Sequence, residues 1–180
     1  FLDKTGLAAN TVVFFAGDNG TGKNGKGTVT EKGVRVPMIV RGPGIRKGLL
    51  SRDLIDFSDV LPTIAELAGA TVPEKIAIDG RSFASALQGK AGERRDWIFS
   101  YLAYGRLLRD RRWLLEGDGR FYDCGESRDG KGYRDVTSDT SPETIAARRR
   151  FDEILRRLPA PPPEPPGTTN PLQSFIGAER

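Results

Sequence analysis

At 180 residues the chain is long enough for one domain with its own core. Its 37% hydrophobic and 29% charged residues are ordinary for a globular protein, and no apolar run approaches the length of a membrane span. The net charge of +4, from 28 basic and 24 acidic residues largely interleaved, is no nucleic-acid footprint by itself. One Cys excludes an internal disulfide framework, and the absence of His removes imidazole as base, acid or metal ligand. Chemistry here must run on carboxylates, lysines, bound metal or groups from another segment.

Residues 1–10 read as the end of a helix turning through Gly6 into the first strand. Val12-Val13-Phe14-Phe15-Ala16 is an unbroken β-branched and aromatic run, the pattern of a strand buried on both faces in a parallel sheet. Polarity then flips to Asp18-Asn19-Gly20, which puts oxygen donors just beyond the carboxyl end of that strand. Open α/β sheets place their ligands there. A loop follows in which Gly22, Gly25 and Gly27 punctuate Lys23 and Lys26. The stretch closes on Gly33-Val34-Arg35-Val36-Pro37 and a second apolar run, Met38-Ile39-Val40.

Three readings compete for this stretch. The plain one is a buried strand, a flexible polar loop and another strand. A phosphate loop would use Gly17-Asp18-Asn19-Gly20-Thr21-Gly22-Lys23, but Asn24 stands where Ser or Thr should hold magnesium. The residues that follow, Gly25, Gly27, Thr28, Val29 and Thr30, are also poor helix starters, so no helix N-terminus would face the anion. The third is a hard-cation site beside an anion site, with Asp18 and Asn19 giving oxygen ligands and Lys26 a positive charge.

Arg41-Gly42-Pro43-Gly44 is a turn cluster, and Arg52-Asp53-Leu54-Ile55 reads as a short strand. Val60, Leu61, Ile64, Leu67 and Ala68 share one helical face, expected to pack on the sheet. Asp56 or Ser58 can cap that helix, Pro62 fits its first turn and Gly69 its left-handed stop. A short helix should follow Asp79-Gly80-Arg81-Ser82-Phe83 and run to Leu87, with Asp79 as cap or turn residue.

From Trp97 the texture becomes that of a small antiparallel sheet, with runs at Trp97–Leu102, Gly105–Leu108, Arg112–Leu115 and Arg120–Tyr122. Glu116-Gly117-Asp118-Gly119 reads as a hairpin turn. Arg106, Arg109, Arg111 and Arg112 are expected on a solvated sheet face with ion pairs. Cys124 is taken as structural, a thiol without a cationic partner to depress its pKa. The last helix runs from about Pro142 to Leu158, capped by Ser141, with Phe151, Ile154, Leu155 and Leu158 as its buried stripe. Pro159 to Gly167 is a Pro-rich linker ahead of a tail.

The stretch Asp18 to Pro37 resembles the sulfatase family of the alkaline-phosphatase superfamily. Its members carry a strand ending D-N-G, then G-K-G-T-x-Y-E-G-G-[VI]-R-V-P, here Gly25-Lys26-Gly27-Thr28-Val29-Thr30-Glu31-Lys32-Gly33-Val34-Arg35-Val36-Pro37. Thr30 replaces the usual Tyr and Lys32 a Gly. The family's D-L-x-P-T helix and [LF]-Y-D turn are matched more loosely by Asp59-Val60-Leu61-Pro62-Thr63 and Phe121-Tyr122-Asp123. Cys124-Gly125-Glu126-Ser127-Arg128 is unlike the family's C/S-x-P-x-R nucleophile motif, because Glu126 stands in place of Pro.

By that resemblance, Asp18 and Asn19 are ligands of a divalent cation, calcium with magnesium as the alternative, and Lys26 contacts the substrate's sulfate. The implied fold is α/β: the carboxyl-terminal part of an alkaline-phosphatase-like sulfatase, with a small antiparallel sheet and a C-terminal helix. The expected division is catalytic α/β domain at 1–90, small β-plus-helix subdomain at 91–158, and linker and tail at 159–180. The chain opens at Phe1 without an initiator Met or a signal-peptide pattern. The family's formylglycine is therefore expected on an upstream half of the same enzyme. The implied activity is hydrolysis of an aryl or carbohydrate sulfate ester, with neither nucleic acid nor a membrane span involved, and the family leans toward export. A phosphoester or phosphonate hydrolase of the same superfamily, or a non-catalytic module that binds anionic glycans, are the competing functions.

Overall fold

The computed structural model describes residues 1–20, 22, 25–73, 75–103, 105–127 and 130–159. Apart from Pro159, the expected linker and tail lie outside the described residues, as do Thr21, Lys23 and Asn24 of the phosphate-loop reading. The chain divides into two units, Phe1–Gly17 with Pro37–Asp96, and Asp18–Val36 with Trp97 onward.

In the first unit, helix α1 (Leu2–Thr5) stops at Gly6, whose φ of 75° is the left-handed conformation that ends helices. Strands β1 (Val13–Ala16) and β2 (Met38–Arg41) pair antiparallel, Val13 opposite Arg41 and Ala16 opposite Met38. The expected parallel, doubly buried strand is therefore not what these residues form. Phe15 and Ile39 are each 62% exposed, since β1 has one partner strand in this unit. An apolar run records that a strand is to be covered; it does not encode the direction of its neighbour.

Helix α3 (Val60–Leu67) follows a 3₁₀ turn at Phe57–Asp59. The turn is closed by a capping box in which Asp56 accepts the Ser58 N–H and Asp59 the Asp56 N–H. The apolar stripe expected to pack is left open, with Leu61 58% and Ile64 47% exposed. The buried residue is Thr63, whose hydroxyl donates to the Asp59 carbonyl at 2.6 Å and accepts the Phe83 N–H at 3.0 Å. That polar stitch turns α3 toward α4 (Ala84–Leu87), and a hydrophobic periodicity cannot register it.

Asp59 is the hub of the unit. Its buried carboxylate takes both Arg95 Nε contacts, at 2.8 and 2.9 Å, and the Arg81 N–H at 2.7 Å. Burial would raise its pKa, but these donors together hold it below the usual carboxylate value. Asp79 gives its carbonyl to Arg95 at 3.0 Å, and Ser82 rather than Asp79 accepts the Ala84 N–H. Residues 52–55, expected as a strand, are irregular and tied by an Arg94–Asp53 ion pair at 2.9 Å.

The second unit holds a five-stranded antiparallel sheet in chain order: β3 (Trp97–Leu102), β4 (Gly105–Asp110), β5 (Trp113–Leu115), β6 (Phe121–Asp123) and β7 (Arg134–Asp135). Side chains alternate across a strand, so its two faces bury different residues. One face presents Leu108, Trp113 and Phe121 to Ala147, Phe151 and Leu155 of helix α5 (Pro142–Arg157). The other presents Leu107, Leu114 and Cys124, and there the buried partner is Val29. Ser141 accepts the Thr144 N–H and Pro142 opens α5, as its sequence dictates. The expected solvated, ion-paired arginines are found at the exposed Arg111 and the ion-paired Arg112, but not at Arg109, because both sheet faces are covered. Arg109 is 4% exposed, while Arg112 bridges Asp123 and Glu143 at the sheet's margin.

Candidate active site

Asp18, Asn19 and Lys26 all belong to the Asp18–Val36 segment, which packs with the sheet of the second unit. All three side chains are exposed. The segment winds around a single turn of helix, α2 (Glu31–Val34). On one side the Asp18-Asn19-Gly20 turn is fastened to it, for the Gly20 N–H donates to the Gly33 carbonyl at 2.8 Å. A Cβ on Gly20 would lie 1.7 Å from the Lys32 carbonyl oxygen, so only glycine can stand there. On another side the turn carrying Lys26 is closed by Thr28, whose N–H and hydroxyl both donate to the Gly25 carbonyl, at 3.2 and 2.8 Å. That turn presses on the same helix: a Cβ on Gly33 would lie 2.2 Å from the Thr28 oxygen and 2.7 Å from the Gly25 oxygen. The oxygen-donor turn and the lysine turn are thus attached to one glycine. Asp18 Oδ1 accepts the Asn19 N–H at 2.9 Å, which holds the carboxylate against its own backbone.

Contacts from the far end of the chain hold this knot in place. The Glu116 carboxylate accepts the Glu31 N–H at 3.0 Å, and the Gly117 N–H donates to the Val29 carbonyl at 2.9 Å. Glu31 in turn accepts the Tyr133 hydroxyl at 2.8 Å and Arg109 Nη1 at 3.2 Å. Burial opposes the charge on Arg109, but Glu31, Cys124 and Tyr133 outweigh it and raise its pKa. Burial is also the first cause of the raised pKa of Glu116. Sequence reading gave these residues no part in holding the site. Glu31 and Arg109 are 78 residues apart, and no local pattern joins them.

Cys124 does have the cationic neighbour that its sequence surroundings lack: Arg109 Nη1 lies 2.8 Å from its Sγ. The thiol is not activated by it. Burial pushes its pKa up to about 11, outweighing the guanidinium. The unfolded chain would lose that proton near pH 8.5. Labelling of the native protein by iodoacetamide at about pH 8.5 is therefore expected to run at least tenfold slower at Cys124 than labelling in urea. Equal rates would show the thiol open and ionised.

The sulfatase family profile matches residues 1–70, a span that contains the whole knot. An ulvan-active sulfatase from Formosa agariphila is 37% identical over 123 residues, 62% of this chain and 24% of that protein. Bovine arylsulfatase A is 37% identical over 147 residues, 74% of this chain and 28% of that protein. This chain belongs to the sulfatase family. A solved structure described under the metabolism of multiple glycosaminoglycans by Bacteroides thetaiotaomicron superposes with a TM-score of 0.69, at 21% identity. It covers 87% of this sulfatase chain and 41% of its own, and supports the partial alkaline-phosphatase-like fold. The sulfatase chain spans about a quarter of the length of the curated relatives it matches.

Sulfatases generally work with a metal ion and a formylglycine. Asp18 and Asn19 have the chemistry for the first, one carboxylate and one amide oxygen, both exposed, of the hard type that calcium and magnesium take. They fit as part of a shell. Calcium takes about six to eight oxygens, and the described residues gather no group of three or more His, Cys, Asp or Glu. No helix among the described residues is long and apolar enough to cross a membrane.

Proposed function

We propose that this chain supplies metal and sulfate contacts to a sulfuric ester hydrolase whose nucleophile comes from an upstream half of the same protein. The observation that carries the reading is the attachment of the Asp18-Asn19-Gly20 turn and the Lys26 turn to one glycine, within a family-matched span. Asp18 and Asn19 would hold a divalent cation, calcium or magnesium, which when bound supplies Lewis-acid polarisation of a sulfate oxygen. Lys26 puts its ammonium against the charge that gathers on the transferring group. Its turn is closed by Thr28 before substrate arrives, so little reorganisation is needed as that charge grows. With no His in the chain, an imidazole acid for the leaving alcohol would have to come from another segment, and otherwise a carboxyl or ammonium group does that work.

The test is a paired assay on the whole protein with 4-nitrophenyl sulfate and 4-nitrophenyl phosphate, with and without a chelator. Faster turnover of the sulfate, abolished by chelation and restored by calcium or magnesium, is the expected result. Preference for the phosphate would move the protein to the phosphoester reading. Hydrolysis of neither, with retention on heparin, would leave an anionic-glycan-binding module.

A further inference from the structure

We propose that the C-terminal sheet is a positioning device for Lys26, with Val29, Gly117 and Arg109 as positioning residues that act through the lysine; this rests on the reading of Lys26 as the sulfate contact. The connection is short. Lys26 sits in the turn that Thr28 closes onto Gly25, and the next residue, Val29, is driven into the sheet at 3% exposure. Val29 enters a notch made by Gly105 at the start of β4 and Gly117 in the turn after β5. A Cβ on Gly105 would lie 3.1 Å from Val29 Cγ2, and one on Gly117 2.9 Å from Val29 Cβ. Gly117 then donates its N–H to the Val29 carbonyl at 2.9 Å, which fixes the depth of the plug.

A second anchor follows at once. Glu31 is gripped through its N–H by Glu116, and through its carboxylate by Tyr133 and the buried Arg109. Arg109 also lies over the Tyr133 ring, 5.0 Å from its centroid. An apolar pair could fill such a space with equal or better stability, so a buried ion pair is weak as a stabiliser. It does select one register. A plug at Val29 and a clamp at Glu31 fix two points on the backbone that leaves the Lys26 turn. Neither anchor touches Lys26 itself, whose side chain is exposed. A lysine's flexible stem leaves its ammonium many positions, and a 1 Å misplacement of a reacting group can cost about a hundredfold in rate. The sheet removes the part of that uncertainty that comes from the backbone.

The experiment is a double-mutant cycle on the whole enzyme, with kcat for an aryl sulfate referred to folded protein by circular dichroism. Val29→Ala and Gly117→Ala are each expected to lower kcat about tenfold in the presence of Lys26. In a Lys26→Ala background the same changes should cost less than about twofold, because the group they position is gone. Val29→Thr, of the same shape, should lower the melting temperature while holding kcat, which would separate the loss in Val29→Ala from lost stability and tie it to the emptied notch. If Gly117→Ala does not fold, Val29→Ala and Val29→Thr carry the cycle alone. Losses that simply multiply in the double variants, while Lys26→Ala alone is severe, overturn the positioning role and leave the lysine's role standing. A Lys26→Ala variant with unchanged kcat would instead overturn the reading of the lysine on which the proposal rests.

Discussion

Replacing Lys26 by alanine in the whole protein is expected to lower kcat for an aryl sulfate by about a hundred- to a thousandfold, with the fold unchanged. The magnitude follows from electrostatics. A preorganised donor aimed at developing charge contributes about 2.7–4 kcal/mol, and the ammonium would be one such donor. The intact fold follows from exposure, since surface changes usually move stability by less than about 0.5 kcal/mol. The Lys26 turn is closed by backbone and by Thr28, neither of which the substitution removes. Arginine at the same position keeps the charge but not the compact ammonium, and should restore only part of the rate. Turnover of 4-nitrophenyl sulfate checks both variants, with circular dichroism as the control for folding. Unchanged turnover in the alanine variant would remove Lys26 from the chemistry.

The second unit was largely legible in the sequence because it contains its own cover. Strand β3 and helix α5 fall where their residues place them, since Phe151 and Leu155 meet a sheet face within the same 60-odd residues. Ser141 and Pro142 announce the start of α5 by purely local chemistry. The pairing of β6 with Arg134–Asp135 was not legible, because two exposed charged residues carry no strand pattern. In the first unit, apolarity marked β1 and α3 correctly as elements but misjudged what they meet here. Phe15, Ile39, Leu61 and Ile64 are apolar yet exposed, while Asp59 and Thr63 are polar yet buried.

The site divides along a similar line. The knot's residues form one contiguous motif, so Asp18, Asn19 and Lys26 could be proposed from resemblance. What holds the knot could not. Val29 stood out only as a poor helix starter between Thr28 and Thr30, and its notch is built from Gly105 and Gly117 far along the chain. Glu31 and Glu116 are 85 residues apart, and their bond runs through a backbone N–H that no side-chain pattern reveals. Arg109 was read as solvated together with Arg106, Arg111 and Arg112, since clustered arginines in a strand-rich region usually form an ion-paired outer face. It became a buried cation because the segment bearing Val29 and Glu31 lies over that face.

Phe151→Ala should be the most damaging single change to the second unit. Phe151 is 1% exposed on the inner stripe of α5, and its ring meets Phe121 edge-on at 5.4 Å with an interplanar angle of 82°. Phe121 in turn stacks on Trp113 at 5.4 Å, so three rings share one packed column. Truncating a buried Phe costs about 3–5 kcal/mol in lost transfer energy plus the cavity left behind. This cavity cannot readily close, because two of its walls are paired strands and the third is α5. Since each 1.4 kcal/mol is a factor of ten, amide protection in β5 and β6 should fall by at least about a hundredfold in hydrogen exchange on the whole protein. Leu is nearer in volume and should recover most of that loss. Protection that survives the alanine would mean the ring column is not what holds α5 to the sheet.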